Sequence, residues 1–152
     1  MRVALDSNIL AYLAAVERVE ADKEKIRHIK ALIKALSAVT LVAPVQALGE
    51  LFVVLRKAGA PAADARDVLA RFAEGFAAPA SEPATALAAA DLAVDHKLQF
   101  WDAMIVAAAA DAGCTLLLSE DMQHGFVTRG LTIVNPLAEP THPKLAALVT
   151  ER

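Results

Sequence analysis

Apolar and polar positions along the chain follow two different spacings, which predict strands and helices in turn. Short continuous apolar runs at 2–5, 40–43, 114–118 and 131–134 are typical of buried β-strands, and 76–79 could form a further short strand. Between these runs, apolar residues recur every three or four positions, which is the spacing of a helix with one buried face. This spacing predicts helices over 9–16, 22–36, 44–58, 61–75, 83–94 and 101–112. The segment after Pro136 is expected to be peripheral.

Strands that alternate with helices predict an α/β protein with a central parallel sheet covered by helices on both faces, a three-layer α/β/α sandwich. With 152 residues, no internal repeat and no linker, the chain is expected to form a single domain over 1–152.

Composition narrows the classes of function. Apolar residues make up 57% of the chain, and aromatic residues only 5%, which argues against an aromatic platform for stacking single strands. The net charge of -3 means that any nucleic-acid contact must come from local basic patches or from metal. A single cysteine, Cys114, excludes an internal disulfide and fits a reducing compartment. With no signal peptide and no apolar run long enough to span a bilayer, we expect a cytoplasmic protein without a membrane contact.

Four acidic residues occupy positions that this fold would bring to one edge of the sheet. Asp6 and Asp121 follow the first strand and the strand at 114–118, and sites in parallel sheets lie beyond the carboxyl ends of strands. Asp102 lies in the first turn of its helix, at the same edge, and Glu50 lies early in another helix. Because such a cluster repels itself unless it holds a cation, we expect a metal site.

Three of these residues also have a purely structural interpretation. Asp6 could cap the first helix, and Asp121 could belong to a turn. Asp102 could stabilise its helix through a favourable interaction of its negative charge with the helix dipole. Glu50 is the most informative of the four, because it lies between apolar residues where a carboxylate brings little structural benefit.

The donor types point to the kind of metal. Carboxylate oxygens suit Mg²⁺ or Mn²⁺, and no set of Cys and His residues offers zinc a tetrahedral site. Such an ion lowers the pKa of a bound water and stabilises charge on a scissile phosphate, so we expect a hydrolytic site. Whether one ion or two bind stays open.

The same residues carry a resemblance to a known family. The segments 5–8, 48–51, 100–105 and 118–122 resemble, in order and spacing, the acidic motifs of PIN-domain ribonucleases. The size and the local sequence are most similar to the VapC-type toxins of bacterial toxin–antitoxin pairs. The resemblance implies a PIN-like fold and a metal-dependent endoribonuclease that hydrolyses RNA phosphodiester bonds.

Residue roles follow from that resemblance position by position. It implies that Asp6, Glu50, Asp102 and Asp121 are both the catalytic residues and the ligands of Mg²⁺ or Mn²⁺. Asn8 and Ser119 match the usual polar neighbours that support them, and Glu120 is a charged neighbour, more often solvated than a ligand. Proteins of this kind commonly form homodimers and bind a small antitoxin protein, so we expect RNA, an antitoxin and a second copy as partners.

Three other functions were compatible with the sequence. A haloacid-dehalogenase-type phosphatase also places Asp after the first strand, but it needs a second Asp where this chain has Asn8. A degenerate PIN domain could serve as a binding scaffold, although none of its four carboxylates is missing. A housekeeping RNA-processing nuclease could have the same site and lack an antitoxin. The lysines and arginines between Lys23 and Lys34 form either a solvated helix face or a contact for RNA or a partner.

Overall fold

A computed structural model describes residues 1–150, in which the chain forms seven helices and five strands. Helices alternate with the first three strands, as the apolar spacing predicts. In chain order the elements are β1 (Arg2–Leu5), α1 (Ser7–Leu13), α2 (Asp22–Ala35), β2 (Thr40–Val42), α3 (Val45–Lys57), α4 (Ala62–Gly75), α5 (Pro83–His96), α6 (Phe100–Asp111), β3 (Leu116–Leu118), β4 (Val127–Thr128), β5 (Leu131–Val134) and α7 (Pro143–Thr150).

The strands form one sheet in the order β2–β1–β3–β5–β4. The pairs β2–β1, β1–β3 and β3–β5 are parallel, and the short edge strand β4 pairs antiparallel with β5. All residues of β3 and β5, and all but the first of β1, are buried, which requires helices on both faces of the sheet. The predicted α/β fold with a central parallel sheet is confirmed.

The helices pack according to the size of their side chains. Helix α6 buries Ala103 and the stretch 105–109, so it is covered on most sides and shows no polar stripe. It packs against α5, which buries Ala88 and Ala89 beside Thr85 and Leu92, and small side chains let two helices approach closely. Helix α1 packs against α2 and α3, and α3 also contacts α6. Within residues 1–150, no helix is both long and apolar enough to cross a membrane.

Three local expectations need correction. The possible strand at 76–79 is reduced to a single bridge between Ala77 and Val42, because Pro79 lacks the N–H that would continue a ladder. The two-residue strand β4 was not predicted, since two residues are too few to show a period. The segment after Pro136 is not wholly peripheral, because α7 buries Leu145 and Leu148 in the core.

Candidate active site

The carboxyl ends of β1 and β3 lie side by side where the strand order reverses. The chain runs from β1 to β2 on one side and later enters β3 on the other side of β1. Asp6 follows β1, and its N–H donates to the carbonyl of Leu118 at 3.0 Å, which extends the pairing of these strands by one residue. Residues 119–121 follow β3. Binding sites of parallel sheets form at such a switch in strand order.

Asp6 is a buried carboxylate held by three donors. Its Oδ1 accepts the N–H of Ser7 at 2.7 Å, so it caps α1 as one interpretation of the sequence expected. Its Oδ2 accepts the Ser119 hydroxyl at 2.7 Å and the Asn8 amide at 3.3 Å. Asp6 is only 3% exposed, and it forms no salt bridge with any basic residue among residues 1–150. The side chain is therefore oriented, buried and not neutralised by a cation of the chain.

The acidic residues act on each other electrostatically. Burial, with smaller contributions from the charges of Asp102 and Glu50, raises the pKa of Asp6 to about 6, against the lowering effect of its hydrogen bonds. Burial also raises the pKa of Asp102, and the charges of Glu50 and Asp121 raise it as well. Each of the four predicted acids therefore takes part in at least one of these electrostatic interactions.

Asn8 links two of these acids. Its Nδ2 donates to Asp121 Oδ2 at 3.0 Å as well as to Asp6, and its Oδ1 accepts the N–H of Glu120 at 3.2 Å. The amide thus joins the residues that follow β1 to those that follow β3. A neutral amide can do this because it carries donors and an acceptor on one side chain.

Ser119 is a second side chain that makes hydrogen bonds to residues on both sides of this corner. It is fully buried and donates its hydroxyl hydrogen to Asp6. Its Oγ also accepts the N–H groups of Asp121 at 3.3 Å and Met122 at 3.2 Å, which shapes the turn that presents Asp121. The positions of Asn8 and Ser119 are therefore those of residues that orient neighbouring carboxylates.

Glu50 and Asp102 approach from two helices. Glu50 lies about one and a half turns into α3, half-buried beside the core residues Leu48 and Leu51. Asp102 lies in the first turn of α6 and is also half-buried. Within residues 1–150, however, no three Asp, Glu, His or Cys side chains are close enough together to hold a metal ion. The quartet shares one sheet edge, but its carboxylates are not arranged as a closed set of ligands.

The chemistry of the donors nevertheless fits a hard divalent cation. Every side chain of the quartet offers carboxylate oxygen, which Mg²⁺ and Mn²⁺ prefer. The acidic neighbours add to the effect of burial, which is the main cause of the raised pKa of Asp6 and Asp102, and a cation would relieve their repulsion.

Glu120 has a role that the sequence did not reveal. Its Oε1 accepts from Lys25 Nζ at 2.5 Å, and its Oε2 accepts from the Tyr12 hydroxyl. The pKa of Tyr12 is raised to about 12, first by burial and then by this acidic partner. Glu120 is therefore not freely solvated, and α2 contacts the site through one of its lysines. The basic series on α2 was a signal, but nothing in its spacing distinguished Lys25 from its neighbours.

The four histidines do not enter this site. His124 accepts the N–H of Asn135 through Nδ1 at 2.9 Å and packs edge-on against His142. His28 contacts the carbonyl of Pro136, and His96 packs against Phe126.

A family model of the PIN domain matches residues 3–126, which is most of the chain and contains all four acids. The chain belongs to the PIN-domain family, and the resemblance seen in the sequence is confirmed. Its fold is similar to the crystal structure of VapC20 from Mycobacterium tuberculosis, described as a Sarcin-Ricin loop cleaving toxin. That similarity has a TM-score of 0.61 and 18% sequence identity, and covers 78% of this chain and 91% of the other. No curated protein sequence matches this chain.

Proposed function

We propose that this protein is a metal-dependent endoribonuclease, and that it is the toxin of a VapC-type toxin–antitoxin pair. The observation that carries the proposal is Asp6, a buried carboxylate with acidic neighbours and no basic partner among residues 1–150. Membership of the PIN-domain family and the likeness to a toxin that cleaves RNA support it. A cationic neighbour would stabilise a purely structural aspartate in this position. The absence of such a neighbour among residues 1–150 therefore favours a site for an external cation.

Asp6, Glu50, Asp102 and Asp121 would hold Mg²⁺ or Mn²⁺ and act as the catalytic residues. A divalent ion in such a site supplies an activated water and stabilises negative charge on the phosphate. The chain contributes orientation: Ser7 N–H and the Ser119 hydroxyl hold one oxygen each of Asp6.

Asn8 and Ser119 would support the reaction by holding the side chain of Asp6 and the turn that carries Asp121 in position. Since both residues donate hydrogen bonds to carboxylate oxygens, they favour the ionised form that binds a cation. Asn8 also counts against a phosphatase of the haloacid-dehalogenase type, because its amide cannot supply the proton that such an enzyme needs at that position.

Cleavage of RNA tests the proposal directly. Purified protein, incubated with a panel of ribosomal, transfer and messenger RNAs, should cut at least one of them when Mg²⁺ or Mn²⁺ is present. EDTA should stop the reaction, and either metal should restore it. Cleavage that persists in EDTA would contradict metal dependence, and a panel left intact with metal present would favour the binding scaffold.

The proposed partners are a small antitoxin and a second copy of the chain. Support for a homodimer comes from exposed apolar residues, of which Leu87 and Val94 lie two turns apart on α5 and are 70% and 79% exposed. Light scattering should give twice the mass of the chain, and a monomer at micromolar concentration would count against the dimer. Because RNA and an antitoxin would both be met in the cytoplasm, we expect the protein there.

A further inference from the structure

A cavity with both polar and apolar lining residues adjoins the acidic quartet. It has a volume of about 260 Å³ and lies between α1, the start of α2 and the turn after β3. Asn8 and Asp121 belong both to its wall and to the acidic corner, so a ligand in the cavity would lie next to that corner. The remaining wall is formed by Ala11, Tyr12, Val16, Arg18, Val19, Asp22 and Glu120.

Glu120 presents an oriented carboxylate to this cavity. Lys25 donates to one of its oxygens and Tyr12 donates to the other. Each oxygen of a carboxylate can accept about two hydrogen bonds, so each keeps one acceptor site. One acceptor site on each oxygen is therefore left for a ligand, and the carboxylate is held in place by Lys25 of α2 and by Tyr12 of α1, which itself belongs to the wall.

Other parts of the wall suit a flat ring with an attached phosphate. The Tyr12 ring and the side chains of Val16 and Val19 are apolar surfaces. Arg18 is exposed, and its guanidinium forms no hydrogen bond or salt bridge within residues 1–150, although its backbone N–H binds Asp22. A free guanidinium is a good phosphate partner.

We propose that this cavity binds the guanine base of an unpaired RNA nucleotide next to the scissile phosphate, with Glu120 as the residue that selects the base. This inference rests on the proposed ribonuclease function. Guanine presents two adjacent N–H donors, at N1 and N2, which match the two free acceptor sites of Glu120. Adenine and cytosine present one amino donor beside a ring-nitrogen acceptor, and uracil presents one N–H between two carbonyls. Each of these three bases would place an acceptor atom next to a carboxylate oxygen. Proteins commonly recognise unpaired bases through hydrogen bonds to the Watson–Crick edge, which carries these groups.

Binding of mononucleotides tests the pocket without any cleavage. The four ribonucleoside 5′-monophosphates are titrated into the isotope-labelled protein in EDTA, and amide shifts are followed by NMR. We expect GMP to shift the amides of Tyr12, Val19 and Glu120 in a saturable way, and to bind about tenfold more tightly than AMP, CMP or UMP, as one charged hydrogen bond would give. Equal binding of all four, or no saturable shift with GMP, would overturn the proposal.

Two variants of the cavity and one control test whether these residues cause the preference for GMP. Glu120→Gln keeps the side-chain shape but replaces one acceptor by a donor, so it should lose the tenfold preference for GMP. Val19→Trp changes an exposed residue of the wall and should block binding of GMP even if Glu120→Gln fails to fold. Glu74→Gln makes the same chemical change at an exposed site on α4 and should leave binding unaltered. A preference that survives both pocket variants would show that the base is read elsewhere.

A short RNA separates a strand ligand from a free nucleotide. In EDTA, a hexanucleotide with one guanosine should bind more tightly than GMP, and more tightly than the same hexanucleotide with adenosine in its place. Tighter binding of GMP than of the RNA would contradict an RNA strand as the ligand. If GMP binds in the pocket while no RNA is cut with metal, the proposed function fails and the pocket stands. If RNA is cut with no preference for guanosine and GMP does not bind, the pocket fails and the function stands.

Discussion

Two buried aspartates, Asp6 at the acidic corner and Asp22 in the wall of the adjoining cavity, have pKa values that are shifted in opposite directions. Asp22, at the start of α2, accepts the N–H groups of Arg18 at 2.8 Å and Val19 at 3.1 Å. These hydrogen bonds, assisted by the charges of Lys25 and Arg18, lower its pKa despite burial. Asp6 also accepts hydrogen bonds, yet burial and acidic neighbours raise its pKa to about 6.

The difference shows which carboxylate the chain satisfies by itself. The charge of Asp22 is stabilised chiefly by two backbone N–H groups and also by nearby basic residues, so it stabilises the folded turn. Glu120 is likewise paired, with Lys25. Asp6, in contrast, is held in place while its charge stays uncompensated, which is costly in a protein with nothing to bind. A buried acid is therefore a stronger indication of function when its charged neighbours are other acids than when they are lysines and arginines.

The largest effect should be on catalysis. Asp6→Asn removes the best-oriented carboxylate and should lower the rate of RNA cleavage by about 1,000-fold, since even residues that only support a metal ligand contribute 10- to 100-fold. Initial rates with Mn²⁺, measured on an RNA that the wild-type protein cuts, test this. Asp64→Asn makes the same change in the exposed first turn of α4 and should retain the wild-type rate. A similar rate for both variants would show that Asp6 is only a helix cap.

The stability of the metal-free protein should depend on pH through Asp6. Because its folded-state pKa is raised from 3.8 to about 6, the folded protein holds this proton more tightly than the unfolded chain does. The resulting stability is present below about pH 4 and is lost as the pH rises through 6, a change of about 3 kcal/mol. Urea unfolding in EDTA between pH 5 and 8 should show the upper part of this loss, about 1.4 kcal/mol, in the wild type, and a smaller loss in Asp6→Asn, in which the raised pKa of Asp102 still contributes.

At neutral pH, Asp22→Asn should lower the stability of the metal-free protein, whereas Asp6→Asn should not. Since the pKa of Asp22 is lowered, its charge contributes stability that is lost only as the pH falls below about 4. Removing that charge should destabilise the protein by about 1 kcal/mol at pH 7, as for a lost cap. If Asp6→Asn and Asp22→Asn both destabilise the metal-free protein at pH 7, the contrast between the two aspartates is wrong.

Metal should stabilise the folded protein by relieving the repulsion in the quartet. At 100 times the dissociation constant, a cation that binds only the folded state adds about 2.7 kcal/mol. Asp102→Asn removes one ligand and one repelling charge, so it should melt higher than the wild type in EDTA and gain less from Mn²⁺. Calorimetric melts with and without metal measure both effects. An Asp102→Asn protein that melts lower in EDTA and responds fully to Mn²⁺ would identify Asp102 as a structural residue of α6.

The smallest effect should come from the acid that the chain already neutralises. Lys25→Met removes the ion pair with Glu120, whose side chains are 36% and 22% exposed, so we expect a loss of at most about 1 kcal/mol. Lys23→Met, on the same helix, removes only solvated ion pairs and should change the stability by a few tenths of a kcal/mol. Urea unfolding at low and high salt compares the two. Equal losses would mean that Glu120 is solvated after all.

The sequence by itself determined most of the helices and strands and indicated which acids lie at one edge of the sheet. Apolar spacing is a local property, so it correctly predicted the alternation of strands and helices and the buried strands β1, β3 and β5. The residues at which a strand ends or a helix begins are also set by the local sequence. Asp6, Asp102 and Asp121 occupy such positions, so the sequence predicts that they lie near one another. Their roles as ligands stay a prediction.

Only the tertiary structure decided the strand order and the partners of each acid. The neighbours β1 and β3 are separated by most of the chain, and their pairing brings Asn8 to Asp121 across 113 positions. The contact of Lys25 with Glu120 joins residues 95 positions apart. Such pairings depend on the packing of the whole core, which favours one arrangement among many with the same local spacing. For that reason the sequence indicated a group of acids at one edge, whereas the fold separated those that the chain neutralises from those that it leaves free to bind.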